Sequence, residues 1–300
     1  MPLPRSEPKP SRSFSFDAIG TKWEIEIYAS LAGGVLAEVQ QAVGARIEVF
    51  DRHYSRFRND SLISQMAQKS GDYVLPDDAQ LLFDLYHELY DMTDGAMTPL
   101  IGQTLVDAGY DANYSLKPGE LKTPPAWDDV LVYNFPSLQL KKPALLDLGA
   151  AGKGYLVDII GNLLAARGIN NFCIDAGGDM LHQTPGDEIL KIGLEDPDNP
   201  KQVIGVADIH DQSICGSSGN RRAWGAYNHI IDPHLLRSLE HIRALWVVAD
   251  SALLADALAT ALFFTSATTL YKRYTFEYAL LRSNAQLEYS ANFPGKFFSE

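Results

Sequence analysis

The stretch from Leu145 to Met180, LLDLGAAGKGYLVDIIGNLLAARGINNFCIDAGGDM, constrains the fold more than any other. An apolar strand candidate ends at Asp147 and gives way to a glycine-rich turn carrying Lys153. A helix is expected from about Tyr155 to Arg167, with Gly168 as its C-cap, and a second apolar strand over Asn171–Asp175 runs into Gly177-Gly178-Asp179. Glycines at such turns let backbone approach a ligand closely, and Lys153 with the exposed amides can receive a phosphate. Two familiar phosphate-binding patterns fail here. GAAGKG lacks the GxxxxGK[ST] spacing and has Gly154 where a Ser or Thr would hold magnesium, and GxGxxG is absent from its required place. Spacing alone leaves two readings, an anion- or nucleotide-binding turn and a tight loop with Lys153 in solvent.

Around this unit the pattern is mixed. Phe14–Tyr28 alternates about Gly20-Thr21, with Trp23, Ile25 and Ile27 on one face of a strand. Leu31–Phe50 has helical spacing through Val35, Val39, Val43 and Ile47. Arg52, Arg56 and Arg58 flank Tyr54 and Phe57, either as a phosphate or aromatic-ring site or as an exposed basic loop. A helix over Ala79–Met92, capped by Asp77 or Asp78 and buried through Leu81, Leu82, Leu85 and Leu89, ends at Thr93-Asp94-Gly95. Residues 111–128 read as a surface insertion, and residues 1–13 as a disordered lead-in to a single domain over 14–300. Strand candidates cover 189–194, 203–209, 245–248, 276–281 and 285–289, and a helix covers Ala252–Phe264. Strands and helices do not alternate regularly, so the class expected is α+β.

The formal net charge of −13 argues against a nucleic-acid partner, though a local basic turn and a metal can still serve a nucleotide. Cys173 and Cys215 lack metal-ligand spacing. The N-terminal residues carry no apolar signal core or lipidation cysteine, and Asp250, Ser251 and Asp256 interrupt the apolar run 244–265. A cytoplasmic protein without an integral membrane segment is therefore expected.

Chemistry can be placed at three further points. Asp256 and Thr260, four apart on a helix among alanines, share a face. With a backbone carbonyl they make a hard oxygen set suited to magnesium, unless Asp256 instead serves a backbone amide. His229, three before Asp232, is either a proton shuttle or a hydrogen-bonded structural residue. Asp179 either orients a ligand or caps a turn. No GxSxG or HExxH occurs, so phosphoryl or nucleotidyl chemistry with a bound cation is favoured over acyl transfer or zinc hydrolysis.

Eight segments in fixed order carry a resemblance: GTKW (20–23), HYSRFRNDSLISQM (53–66), TDGAMTP (93–99), DLGAAGKGYLVD (147–158), DAGGDM (175–180), SSGNRR (217–222), HIIDP (229–233) and ADALATALF (255–263). Together they resemble the ApbE family, the FAD:protein FMN transferases, over nearly the whole chain. The resemblance implies a T-fold-related α+β architecture of mixed and antiparallel sheets with packed helices. It implies FAD and magnesium as ligands, and transfer of FMN to a threonine hydroxyl of an acceptor protein bearing a motif like D-G-x-[ST]-G-A-[TS], with release of AMP. Some relatives hydrolyse FAD to FMN and AMP instead, and a third reading is a silent flavin-binding protein. By likeness Asp256, Thr260 and the carbonyl of Ala150 would hold magnesium. Thr93, Asp94, Gly95, Lys153, Gly177, Gly178, Asp179, Ser218 and Asp232 would serve the FAD site. His229, Asp256 and Lys153 would act in catalysis. The chain departs from the family where HLLRSLE (234–240) replaces the usual continuation R-T-G-x-P after HxxDP, and where Gly152 stands in place of the commoner Ala.

Overall fold

The computed structural model describes residues 10–219 and 222–298. Its frame is an eight-stranded sheet of Arg12–Ala18, Thr21–Ile27, Phe172–Asp175, Asp179–Gln183, Ser213–Ser217, Ile242–Ala249, Glu277–Arg282 and Leu287–Tyr289, in that spatial order. Every neighbouring pair is antiparallel. Spatial order follows chain order, so the sheet is a meander whose connections carry the helices. A dinucleotide or P-loop fold requires parallel strands joined by a crossover helix, and this sheet has none.

The two faces of the sheet carry different layers, and its central and C-terminal strands are covered on both. Trp23, Ile25, Ile27, Leu245 and Val247 face the main core, with the helices Val35–Tyr54, Ala79–Met92, Gly152–Ala165 and Ala252–Ala261. Ala244, Trp246 and Val248 alternate onto the opposite face, under a three-stranded sheet ordered Gly295–Phe297, Asn199–Ile209, Leu190–Asp196. A strand buried on both faces has no polar side to show, which is why Leu245–Val248 reads as an unbroken apolar run. A second three-stranded sheet joins Gly71–Val74, Ser137–Leu140 and Leu131–Asn134. No helix among the described residues is long and apolar enough to cross a membrane. The α+β class is as expected.

Several boundaries differ from the sequence reading. Leu145–Asp147 is not a strand. Its backbone meets Pro99 through one hydrogen bond, from Asp147 N–H at 2.7 Å, and Leu146 is buried without joining a ladder. The first helix is Val35–Tyr54, not Leu31–Phe50, because Phe50 and Tyr54 continue its buried face. Asp78 stands at the N-cap of Ala79–Met92 but gives no side-chain cap, since its carboxylate is engaged by Arg46 and Tyr54. That helix buries an arc centred on Leu82, Tyr86 and Leu89, leaving Leu81 64% exposed. The first strand begins at Arg12, within the stretch read as lead-in, because its pairing to Glu26 and Ile27 is made by backbone. Residues 1–9 lie outside the described residues. Residues 111–126 contain no helix or strand and are mostly exposed; Trp127 is buried and opens the short helix Trp127–Val130.

Candidate active site

The site forms where the N-terminus of the helix Gly152–Ala165 meets the flank of Ala252–Ala261. Their approach is so close that a Cβ on Gly154 would lie 2.1 Å from the Ala252 carbonyl oxygen and 2.6 Å from Asp256 Cβ. This is the physical reason for Gly where a P-loop would have Ser or Thr. The Gly154 N–H donates to Asp256 Oδ2 at 2.8 Å. Asp158, one turn further along, accepts from the amides of Ala252 and Leu253, both at 2.8 Å. Each helix thus has its orphan amides satisfied by a carboxylate of the other.

Asp256 is 6% exposed. Burial, and then the neighbouring Asp179 charge, push its pKa up to about 8, against the pull of Lys153 and the Gly154 amide. Lys153 pairs with one of these acids and feels the charge of the other. Its ammonium is paired with Asp179, itself 1% exposed. Burial alone would lower the Lys153 pKa, but the Asp179 and Asp256 charges outweigh it and hold the ammonium above its ordinary value. One cation therefore serves two buried carboxylates, a balance that favours a further positive charge.

Thr260 Oγ1 donates to the carbonyl of Ala150 at 3.3 Å, and the Ala150 amide donates to the buried hydroxyl of Tyr86 at 3.1 Å. Tyr86 therefore fixes the turn with its carbonyl toward Thr260. Asp256, Thr260 and Ala150 line one cavity of about 380 Å³. Among the described residues no group of three or more His, Cys, Asp or Glu side chains could hold a metal ion. The donors here are instead a carboxylate, a hydroxyl and a carbonyl, a set that fits a hard cation with waters completing its shell.

Lys153, Gly177, Ser218 and His229 line the same cavity. His229 is held neutral. Burial, then the Arg222 charge, lower its pKa to about 4, and its Nδ1 makes no hydrogen bond among the described residues. Gly177 has φ +71°, and a Cβ there would lie 2.0 Å from Thr21 Oγ1, so only glycine allows this turn to meet the Gly20-Thr21 turn. Other expected residues stand behind the wall. Thr93 accepts from the Met97 amide at 2.9 Å, and it is Ala96, Met97 and Thr98 that line the cavity, not Thr93-Asp94-Gly95. Asp94 and Gly95 take left-handed conformations, φ +53° and +80°, that turn the chain there. Gly178 and Asp179 also lie outside the lining, Asp179 acting through Lys153. Asp232 points into its own loop, accepting from the amides of His234 and Leu235 at 2.8 and 3.0 Å. His234, from the divergent loop, contacts the Asp94 carbonyl at 3.0 Å. Asn220 and Arg221 of SSGNRR lie outside the described residues.

Of the two readings of the Arg56-Phe57 stretch, the structure favours an aromatic and cationic cluster, and sequence reasoning missed the residues that complete it, Tyr110, Tyr114 and Trp224. Arg56, 6% exposed, pairs with Asp147 and stacks over Phe57 and Tyr110, 4.2 and 4.9 Å from the ring centroids. The exposed-loop reading of this arginine is therefore incorrect. Tyr110 continues the stack onto Trp224, and Phe57 onto Tyr114. Aromatic residues beside Arg56 were a visible signal; the partner Asp147, 91 positions away, carried none.

The ApbE family profile matches residues 19–276. The chain belongs to the ApbE family. The FAD:protein FMN transferase of Rhodobacter capsulatus is 27% identical over 276 residues, covering 85% of this chain, and the chain spans about half, 51%, of that protein's length. The FAD:protein FMN transferase of Treponema pallidum is 26% identical, over 82% of this chain and 76% of its own length. The ApbE protein of Thermotoga maritima superposes with a TM-score of 0.81 at 20% identity, over 93% of this chain and 97% of its own. The flavin transferase ApbE of Vibrio cholerae gives 0.77 at 19% identity, over 95% and 99%. These two structures share the ApbE fold with this chain.

Proposed function

We propose that this ApbE protein is a magnesium-dependent FAD:protein FMN transferase, which moves the FMN half of FAD onto a threonine hydroxyl of an acceptor protein and releases AMP. The observation that carries this reading is the convergence of Asp256, Thr260 and the Ala150 carbonyl on the cavity that also holds Lys153 and His229. Asp256, Thr260 and Ala150 would hold the magnesium ion, which supplies charge neutralisation at the diphosphate. Lys153 remains cationic and is aimed by Asp179, so it adds fixed positive charge where phosphate oxygens gain negative charge. The aromatic wall of Phe57 and Tyr110 offers π-faces to a flat ring system.

In the reaction the acceptor oxygen forms a bond to the FMN phosphorus and the bridging P–O bond breaks. The bridging oxygen leaves with AMP, and the hydroxyl proton passes to a base. Two groups on the cavity wall can take that proton, the carboxylate of Asp256 and the Nδ1 of neutral His229, which has no hydrogen bond among the described residues. The test is incubation with FAD, magnesium and a peptide bearing the D-G-x-T-G-A-T motif. A peptide mass increase of one FMN with equimolar AMP is the expected result. Release of AMP and free FMN without labelling of any acceptor would make the protein an FAD pyrophosphatase, and binding without turnover a silent flavoprotein.

A further inference from the structure

The donors Asp256, Thr260 and Ala150 are assembled across a joint. Ala150 precedes the helix Gly152–Ala165, while Asp256 and Thr260 stand on Ala252–Ala261. Their geometry is only as fixed as the placement of one helix against the other.

Among the described residues, three sets of hydrogen bonds tie these two segments. The Gly154 N–H donates to Asp256, Thr260 Oγ1 donates to the Ala150 carbonyl, and the amides of Ala252 and Leu253 donate to Asp158. The first two ties are made by the same groups that would hold an ion. A cation draws on the lone pairs of that carboxylate, hydroxyl and carbonyl, so both ties weaken as it enters. Only the Asp158 tie uses none of the three donors.

The two carboxylates are placed reciprocally. In each helix an amide and a carboxylate four residues on, Gly154 with Asp158 and Ala252 with Asp256, serve the other helix. Their use differs. Asp158 spends Oδ1 on Ala252 and Oδ2 on Leu253, both at 2.8 Å, and is not among the residues lining the cavity. Asp256 accepts one hydrogen bond among the described residues, and it does line the cavity. The next two amides of the helix are also satisfied, Leu254 by Ser251 Oγ at 3.2 Å and Ala255 by the Ser251 carbonyl at 3.0 Å. With all four N-terminal amides held, this end of the helix is pinned.

We infer that Asp158 is a positioning residue for the cation site. It keeps Asp256 and Thr260 in register with the Ala150 carbonyl once an ion has taken over their own hydrogen bonds, and it touches neither the ion nor the dinucleotide. This inference rests on the reading of Asp256, Thr260 and Ala150 as magnesium ligands.

The test is Asp158→Asn, nearly equal in size. It keeps one acceptor oxygen and turns an NH2 group toward the second amide. The probe is Mn2+ as a hard cation, titrated with FAD in excess, with free Mn2+ followed by electron paramagnetic resonance at a temperature where circular dichroism shows the variant folded. The Kd for Mn2+ is expected to rise on the order of tenfold or more, while FAD affinity in metal-free buffer, followed by flavin fluorescence, is unchanged. A variant that melts earlier but binds Mn2+ as wild type does overturns the inference, as does an equal loss of metal-free FAD affinity. Hydrogen exchange of the wild-type protein, read by NMR, tests it without any substitution. With FAD and magnesium added, the amides of Ala252 and Leu253 should stay protected while that of Gly154 exchanges faster; a fall in protection at Ala252 and Leu253 overturns it. Wild-type protein that binds no Mn2+ overturns it together with the magnesium ligands. Wild-type protein that binds Mn2+ through an Asp158-dependent site yet transfers no flavin refutes the transferase reading and leaves the positioning role standing.

Discussion

The contact between the two site helices makes opposite predictions for the same chemical change at two glycines. At Gly154 an added Cβ would meet the backbone oxygen and carbon of Ala252 at 2.1 and 2.7 Å, and neither can swing aside. The helices must part by roughly an ångström in a core packed like an organic crystal. Overpacking of this kind costs about 1–3 kcal/mol, and weakening the Gly154 N–H bond to the Asp256 carboxylate adds about 1.5–3 kcal/mol. Gly154→Ala should therefore lose on the order of 3–5 kcal/mol. For 300 residues the unfolding entropy is about 0.6 kcal/mol/K, so Tm should fall by about 5–8 °C. Gly44 is the control. It lies exposed inside the helix Val35–Tyr54, and a Cβ there meets nothing within 4 Å. Gly44→Ala should gain about 0.5–1 kcal/mol from helix propensity, raising Tm by about 1–2 °C. Differential scanning calorimetry measures both. In addition, magnesium-dependent turnover of Gly154→Ala should drop at a temperature where it is still folded, because Asp256 moves with its helix. A Gly154→Ala protein that melts within a degree of wild type and keeps full turnover would refute the close-contact account of the site.

Asp256→Asn should abolish the stabilisation by magnesium. With FAD present, wild type gains about 2.7 kcal/mol at a metal concentration one hundred times Kd, or about 4 °C, and an equal rise in the variant would exclude Asp256 as a ligand. In metal-free buffer the raised Asp256 pKa, about 8, has a definite sign. The unfolded carboxylate ionises first, so stability falls as pH rises through the interval from about 4 to 8. The Asn variant should show a shallower fall by urea titration, and an equal or steeper one would count against the burial argument. His229→Ala should lower flavin transfer far more than FAD affinity; a parallel loss of both would mark a structural histidine. Because the His229 pKa is lowered to about 4, the acid limb of the wild-type rate profile should show no step near 6.5 that the variant removes.

Legibility in the sequence followed the range of the interaction responsible. Ser61 caps the helix Leu62–Gln68 through a local partner, its Oγ accepting from the Ser64 amide at 3.0 Å, the kind of short-range contact that a serine before a helix signals. The alternation of Trp23, Ile25 and Ile27 predicted a strand with one buried face, and the strand obeys it. Leu145–Asp147 misled because buried, extended chain has the same apolar signature whether or not it joins a ladder, and periodicity contains no information on pairing partners. Asp78 misled for the opposite reason. A carboxylate at a helix start suits an N-cap, but Arg46 and Tyr54, distant in sequence, compete for it and win. The Thr93-Asp94-Gly95 turn was recognisable as a turn, yet whether it or the next three residues face a cavity depends on its left-handed φ values.

The site itself illustrates how two sequence signals acquire meaning only together. Gly154 read alone disqualifies a P-loop, and Asp256 among alanines read alone is a carboxylate in a costly place. Packed against each other, each accounts for its neighbour. Small residues let the helices close, closure gives Asp256 the Gly154 amide, and the same closure brings Thr260 within 3.3 Å of the Ala150 carbonyl, 110 residues away in the chain. The arrangement leaves two buried acids, Asp179 and Asp256, sharing Lys153. Folding energy alone gives no reason to retain such a group, since an uncharged pair of similar volume is often as stable or more so. A cation bound between that carboxylate and a polyphosphate does give a reason, because it reverses the sign of the local field that otherwise raises the Asp256 pKa. The destabilising charge and the binding site are thus one feature. The substitution that removes the carboxylate should ease the metal-free fold and disable the loaded enzyme, a divergence that a purely structural role for Asp256 does not produce.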